Sequence, residues 1–381
     1  MKTAAIICEF NPFHNGHKYL IDEAKKSNDA VVCIMSGSFV QRGDVAVFDK
    51  WTRANMALLS GADLVVELPV CFSLNSAERF AYGSVSLADD MKVIDTLFFG
   101  SECGDAKTLI NAANILLNEP FEVSEKIKNY MQAGISHPAA RTKAYSDLIE
   151  SSIISEPNNI LGIEYIKVLL DKKSSSSIKT IKRKSVSHHD INPSDEFASA
   201  SAIRKLLNDG RDIKRYVPKN IISLYNEPAK INGLDEMLRY SILDKSLSEL
   251  TQINGIAEGL ENRIKLAAKE CVSFCEMSEF IKSKRYTLSR IRRTLLSILI
   301  GLDKEIGRIP PSYLRVLGAN STGKKLLSKI KEKSDLTIIT KTADFKNFNK
   351  SLDLDIRTTD IYNIIQGKKT GEDYYTSPIM I

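Results

Sequence analysis

His14 and His17 stand three residues apart with Gly16 between them, in the run Asn11-Pro12-Phe13-His14-Asn15-Gly16-His17. Imidazole N–H groups can donate to phosphate oxygens as negative charge shifts in a transition state. Gly16 lets the backbone come close to an anion. The run follows an apolar stretch and precedes a helical pattern. A helix N-terminus in that slot offers free backbone N–H groups and roughly half a positive charge. The bland alternative is a turn with two incidental histidines. Against it, the chain has five histidines in all, and two of them share this strand–loop–helix slot.

A second anion clamp is legible in Ser199-Ala200-Ser201-Ala202-Ile203-Arg204. Ser199 or Ser201 can cap a helix, and Arg204 then projects from its first turn. Alone this reads as ordinary capping beside a surface arginine. Following the histidine motif, it reads as a second phosphate contact.

These side chains need a frame. Residues 3–8, 30–35, 64–70 and 96–99 are apolar runs, the fourth of them ending at Gly100, and 178–181 looks like a further strand. Continuous rather than alternating apolarity suits strands covered on both faces. Helical patterns fall between them at 17–27 and from Asp49 as cap to Leu59 and Gly61. The alternation predicts an α/β fold, a Rossmann-like doubly wound parallel sheet, with ligands beyond the carboxyl ends of its strands. Residues 106–172 read as helical with breaks at Pro120, Pro138 and Pro157. Beyond Pro218 the pattern is mostly helical to Leu302, with a break at Pro310-Pro311 and a late strand at 336–339. The expected division is a catalytic unit, 1–217, and a mainly helical, basic unit, 218–381.

The two motifs resemble those of the HxGH nucleotidyltransferase superfamily. A longer signature is similar to the bacterial tRNA(Met) cytidine acetate ligase family. It comprises Glu9 to His17, Ser36-Gly37-Ser38-Phe39-Val40-Gln41-Arg42-Gly43, Asp49-Lys50-Trp51-Thr52-Arg53, Gly61 to Pro69, Leu161-Gly162, Lys182-Arg183, His189-Asp190 and Pro311-Ser312-Tyr313-Leu314-Arg315. The resemblance implies an ATP-dependent ligase, with Mg²⁺ on the phosphates and acetate as acyl source. It implies an acetyl-adenylate that acetylates the N4 amine of the wobble cytidine of elongator tRNA(Met). It implies catalytic roles for His14, His17 and Arg204. It places ATP contacts at Ile7, Cys8, Glu9, Phe10, Asn11, Pro12, Phe13, His14, Asn15, Gly16, His17, Lys18, Tyr19 and Leu20. Further contacts fall at Gly100, Asn158, Arg183, Ser199, Ser201 and Arg204; the register leaves Asn158 and Asn159 both open. The chain departs from the family at Lys184-Ser185-Val186-Ser187-His188-His189-Asp190, where a glycine-rich stretch leads to Tyr-His-Asp.

Composition sets outer bounds. With 43% hydrophobic and 26% charged residues over 381 positions, the chain is ordinary globular protein. No stretch reaches the roughly 18 apolar residues a membrane span needs. The apolar run at 3–8 is too short for a signal peptide, so a cytoplasmic location is expected. The six cysteines show no CxxC spacing and read as small buried apolar residues in a reducing compartment. No metal-ligand cluster is legible, and His188-His189-Asp190 reads as solvent-side or pocket-lining polarity.

Net charge is +6, and Lys282, Lys284, Arg285, Arg290, Arg292 and Arg293 cluster without an acid between 282 and 293. Apolar residues interleave at helical spacing through Leu302, giving one buried and one positive face. Such a face is either a solvated surface or a docking site for tRNA phosphates; a macromolecular acceptor favours docking. Gly318-Ala319-Asn320-Ser321-Thr322-Gly323-Lys324-Lys325 nearly forms a Walker A loop but has Lys325 where Ser or Thr would hold Mg²⁺. Trp51, with Lys50 and Arg53 beside it, can be core or substrate-facing. Two other function classes stay open: a small-molecule adenylyltransferase, and a non-catalytic RNA-binding protein that retains a nucleotide pocket.

Overall fold

The fold is described from a computed structural model, covering residues 1–184, 196–225, 228–257, 259–345 and 349–381. His188-His189-Asp190 therefore lies outside the described residues. Ten strands form among those described: β1 (Thr3–Cys8), β2 (Ala30–Ser36), β3 (Phe39–Val40), β4 (Asp44–Val45), β5 (Leu64–Leu68), β6 (Thr96–Ser101), β7 (Ser177–Lys182), β8 (Tyr313–Ala319), β9 (Thr337–Ile339) and β10 (Ile379–Met380).

β5-β2-β1-β6-β7 run side by side and parallel, with Cys8 opposite Met35 and Ser101 opposite Lys182. Counting these five in chain order gives 3-2-1-4-5, a doubly wound sheet whose direction of winding reverses between β1 and β6. The apolar runs are explained by burial on both faces. Ala5, Val32 and Ile34 feed one core layer, while Ala4, Ile6, Val31, Cys33 and Met35 feed the other. The second layer is closed by the helices Asn15–Lys25, Lys50–Leu59 and Ala200–Asn208 through Ile21, Ala24, Ala54, Met56, Ala57, Ile203 and Leu206.

The helical reading of 106–172 resolves into Ala106–Leu117, Phe121–Gln132, His137–Ala144, Ser151–Ser155 and Pro157–Asp171. Pro138 and Pro157 sit at helix starts, where a missing N–H costs nothing. No helix of the described residues is long and apolar enough to cross a membrane.

The C-terminal half does more than pack helices. β8 pairs antiparallel with β5, and β9 and β10 pair parallel with β8. Thr337–Ile339 meets the expectation of a late strand, whereas 313–319 carried no such expectation. The boundary near Pro218 thus divides a sequence pattern but not the sheet. The Walker-like segment is β8 running into the helix Ser321–Lys333, capped by Asn320. Because β8 is antiparallel, this turn lies at the edge of the sheet opposite the ends of β1 and β6. Its glycine serves packing: a Cβ on Gly323 would stand 2.0 Å from the Asp63 carbonyl oxygen.

Candidate active site

A cavity of about 860 Å³ opens where the sheet reverses, at the carboxyl ends of β1 and β6. That is within the range of small-molecule sites. Its walls include Ile7, Cys8, Glu9, Phe10, Asn11, His14, His17, Leu20, Gly100, Asn158, Arg183, Ser199, Ser201 and Arg204. Segments as distant in sequence as 7–20 and 199–204 meet there.

The two histidines cap their own helix. The Gly16 N–H donates to His14 Nδ1 at 3.0 Å, and the His14 N–H donates to His17 Nδ1 at 3.2 Å. With each Nδ1 accepting, each ring carries its proton on Nε2. The rings stack at 3.7 Å between centroids. Burial, reinforced by Arg183, lowers His14 to about 3. Burial, then His14, then Arg183, holds His17 well below its ordinary value. Both are neutral hydrogen-bond donors at physiological pH, not cations. Gly16 is required by this packing, since a Cβ there would lie 2.8 Å from the His14 ring.

Arg42, Arg183 and Arg204 bring positive charge to the cavity. Arg204 donates from Nη1 to the Asn11 carbonyl at 2.7 Å and from Nη2 to Ser201 Oγ at 3.3 Å. Ser199, not Ser201, is the N-cap, accepting from the Ala202 N–H at 3.1 Å. Arg183 donates to Asn158 Oδ1 at 3.1 Å. Gly100 makes room for it; a Cβ there would stand 3.2 Å from Arg183 Cγ.

The two asparagines separate cleanly. Asn159 is buried and its Oδ1 accepts the Glu102 and Cys103 N–H groups at 3.0 and 3.2 Å. Asn158 instead faces Arg183. Glu102 caps this helix start, accepting from the Asn158 side chain at 2.5 Å and the Asn159 N–H at 2.8 Å.

Six of the expected contacts turn their side chains to other tasks. Pro12 and Phe13 are buried, and Gly16 closes the cap. Asn15 donates to the carbonyls of Glu196 and Arg215, at 2.9 Å each. Lys18 pairs with Asp22 at 2.6 Å. Tyr19 packs edge-on to Phe197 beneath Lys184. None of the six lines the cavity.

Residues that sequence reasoning did not place turn out to shape the site. Arg53 is fully buried with no carboxylate partner among the described residues; it donates to the carbonyls of Glu9 and Ser36 at 2.8 Å each, Gly37 at 2.5 Å and Phe48 at 2.9 Å. One guanidinium thus ties the ends of β1 and β2. Lys50 is buried between Glu67 at 2.8 Å and Asp373 at 2.9 Å, and Arg315 reaches Asp373 at 3.2 Å. Trp51 is core, between the Lys50 and Arg315 cations. The available signal was three large polar or aromatic side chains, Lys50, Trp51 and Arg53, in the first turn of a helix that ends in the apolar run Met56 to Leu59.

The basic segment also resolves differently from a single helix. The helix is Leu288–Ile300; Lys282, Lys284 and Arg285 precede it and are exposed. Lys282 pairs with Glu279 at 3.1 Å, and Arg290 lies over the Tyr286 ring at 4.7 Å. Arg292 and Arg293 turn inward. Arg292 binds the Gly43 carbonyl at 3.1 Å and the Asp44 carboxylate, and Arg293 donates to the Gln41 carbonyl at 3.0 Å.

Residues 1–376 match the family described as HIGH Nucleotidyl Transferase. The tRNA(Met) cytidine acetate ligase of Clostridium novyi (strain NT) is 42% identical over 402 residues, covering 100% of both chains. That of Thermoanaerobacter sp. (strain X514) is 41% identical, over 96% of this chain and 95% of its own. The chain belongs to the tRNA(Met) cytidine acetate ligase family. Among solved structures, Thermotoga maritima TmcAL bound with alpha-thio ATP superposes with a TM-score of 0.90 at 30% identity, covering 100% of both chains. Its apo form gives 0.91 at 31%. The α/β fold and the ATP-dependent ligase class expected from sequence are those of this family.

Proposed function

We propose that this chain activates acetate with ATP as acetyl-adenylate and acetylates the N4 amine of the wobble cytidine of elongator tRNA(Met). The observation that carries the reading is the cluster of His14, His17, Arg183 and Arg204 around one cavity at the sheet's switch point. An acetate oxygen attacks the α-phosphorus, and pyrophosphate leaves with the bonding electrons. The Nε2–H groups of His14 and His17 donate to the phosphate oxygens, while Arg183 and Arg204 offset the charge that accumulates. Because these donors are held by cap and carbonyl bonds, little reorganisation is needed during reaction. The cytidine amine then attacks the acetyl carbonyl and AMP departs.

Mg²⁺ enters as part of the nucleotide substrate, on phosphate oxygens and water. Among the described residues no group of three His, Cys, Asp or Glu could hold a metal. Lys282, Lys284, Arg285 and Arg290 supply a positive surface for tRNA phosphates. The cytoplasm, where ATP and tRNA meet, is the fitting compartment, and all six cysteines are free. The test is incubation with ATP, labelled acetate and total tRNA, followed by digestion to nucleosides. Label is expected in N4-acetylcytidine, with pyrophosphate release that depends on acetate. Acetylation that requires acetyl-CoA and leaves ATP intact between its α- and β-phosphates would refute it.

A further inference from the structure

Acyl transfer to an amine must dispose of a proton, and none of the phosphate-binding groups is suited to take it. In His14 and His17, the nitrogens without a proton are already accepting backbone N–H groups. Arg183 and Arg204 are cations. Among the described residues three carboxylates line the cavity: Glu9, Glu102 and Glu156. Both Glu102 oxygens are spent on the start of the helix Pro157–Asp171. Glu156 is exposed at the rim.

Glu9 differs from both. It follows β1 directly, with its backbone carbonyl fixed by Arg53 at 2.8 Å. One carboxylate oxygen, Oε1, accepts the Gln41 N–H at 2.8 Å. That bond orients the group and leaves the second oxygen available to the cavity. The phosphate donors are His14 and His17 at the start of the helix Asn15–Lys25, Arg183, and Arg204 on the helix Ala200–Asn208, whereas the Glu9 carboxylate is tied to the turn at Gln41. A carboxylate is also the side chain that accepts from the exocyclic N4–H of cytosine.

We propose that the Glu9 carboxylate accepts a hydrogen bond from the N4 amine of the acceptor cytidine and takes its proton during acyl transfer. The inference rests on the proposed reaction and adds a base to its second half. The amine nitrogen forms a bond to the acetyl carbon. The bond from that carbon to the AMP oxygen breaks, AMP leaves with the electron pair, and one amine proton passes to Glu9.

The surroundings make Glu9 a stronger base than an exposed carboxylate. Burial raises the Glu9 carboxyl above its ordinary value, against Arg42 and Arg204, with Asp44 adding to the rise. Among the described residues, Tyr165 on the helix Pro157–Asp171, Arg293 on the helix Leu288–Ile300 and Cys8 on β1 also sense it. A base acts when deprotonated, so transfer should rise with pH on an acidic limb set by Glu9.

The test separates the half-reactions of Glu9→Gln, which keeps the shape and an acceptor for the Gln41 N–H. Acetate-dependent pyrophosphate exchange reports adenylate formation and shows that the variant is folded. Single-turnover transfer from the enzyme-bound adenylate to tRNA(Met) reports the second step across pH. Transfer should fall at least about 100-fold, as loss of a general base does, and lose its acidic limb. Adenylate formation should change less than transfer by at least about tenfold, and Glu9→Asp should restore part of the limb. Transfer at wild-type rate, or both steps slowed equally, overturns the assignment. Wild-type protein that forms no acetyl-adenylate overturns the parent reading, and with it this one.

Discussion

The geometry of His17 allows its chemical and structural contributions to be separated by two substitutions. His17→Asn places an amide oxygen near the position of Nδ1, so the bond from the His14 N–H can persist. What it removes is the Nε2–H, together with the ring contacts to Phe10 and Phe13. Loss of one such oxyanion-type donor costs about 100- to 1,000-fold in turnover, roughly 2.7–4 kcal/mol of transition-state stabilisation. His17→Ala removes the same donor and more. The capping interaction is worth about 0.5–2 kcal/mol. The ring contacts with Phe10 and Phe13, at 4.9 and 5.6 Å between centroids, are worth about 0.5–1.5 kcal/mol each.

Both variants should therefore lose turnover alike and both forfeit the ring contacts, but only His17→Ala should lose the further cap contribution, about 0.5–2 kcal/mol of unfolding free energy. Acetate-dependent pyrophosphate release at saturating ATP measures the first quantity, and denaturant unfolding the second. Folded His17→Asn protein with near-wild-type turnover would refute the donor role. Equal instability of the two variants would refute the reading of Nδ1 as a cap.

The same histidines make stability depend on acid. Their folded values lie below the unfolded value of about 6.5, so the unfolded chain binds more protons and stability falls as pH drops below it. Each contributes about 1.4 kcal/mol per pH unit, until His14 itself titrates at about 3. Wild-type protein should lose about 2–3 kcal/mol more than the double variant His14→Asn/His17→Asn between pH 5.5 and 4.5; parallel profiles would contradict the burial argument. For the basic surface, changing Lys284, Arg285 and Arg290 to Glu should weaken tRNA binding. It should also flatten the salt dependence by about 0.7–0.9 for each phosphate no longer neutralised, while acetate-dependent pyrophosphate exchange without tRNA persists. Arg292→Ala should impair that exchange too, because it loosens the Asp44 turn at the cavity rim. Unchanged affinity and salt slope in the triple variant would return the segment to a solvated surface.

What the sequence made legible was local. Continuous apolar runs located β1, β2, β5 and β6 because burial on both faces leaves no polar alternation to hide them, whereas β7, Ser177-Ile178-Lys179-Thr180-Ile181-Lys182, is a half-exposed edge strand. The histidine motif and Ser199–Arg204 were readable because cap residues and their spacing announce helix starts. Glu102 and Arg53 were not readable. Apart from the nearby Phe48 carbonyl, Arg53 binds backbone carbonyls 16 to 44 residues away, and Glu102 binds Asn158 and Asn159, 56 and 57 residues away; no spacing rule encodes such contacts. The basic run misled for a related reason. Charge counting treats Arg290, Arg292 and Arg293 alike, but helical geometry turns only the last two toward Gly43, Asp44 and Gln41.

Those inward arginines bear on what the C-terminal half is. A separable tRNA-binding module would leave the nucleotide site complete without it. Here Asp44 is shared between Arg292 and Arg204, the latter at 3.8 Å, and Arg204 in turn holds the Asn11 carbonyl. The phosphate loop and the C-terminal helix Leu288–Ile300 therefore meet through one carboxylate. Behind the site, Asp373 and Arg315 complete the buried charge set around Lys50 and Glu67. Removing residues 218–381 would strip that set of one cation and one anion. Lys50 and Glu67 would keep each other, but in a pocket newly open to water, and β5 would lose its neighbour β8 and become a bare edge. The C-terminal half is thus part of the frame that holds the adenylating site, as well as the surface proposed to receive the RNA.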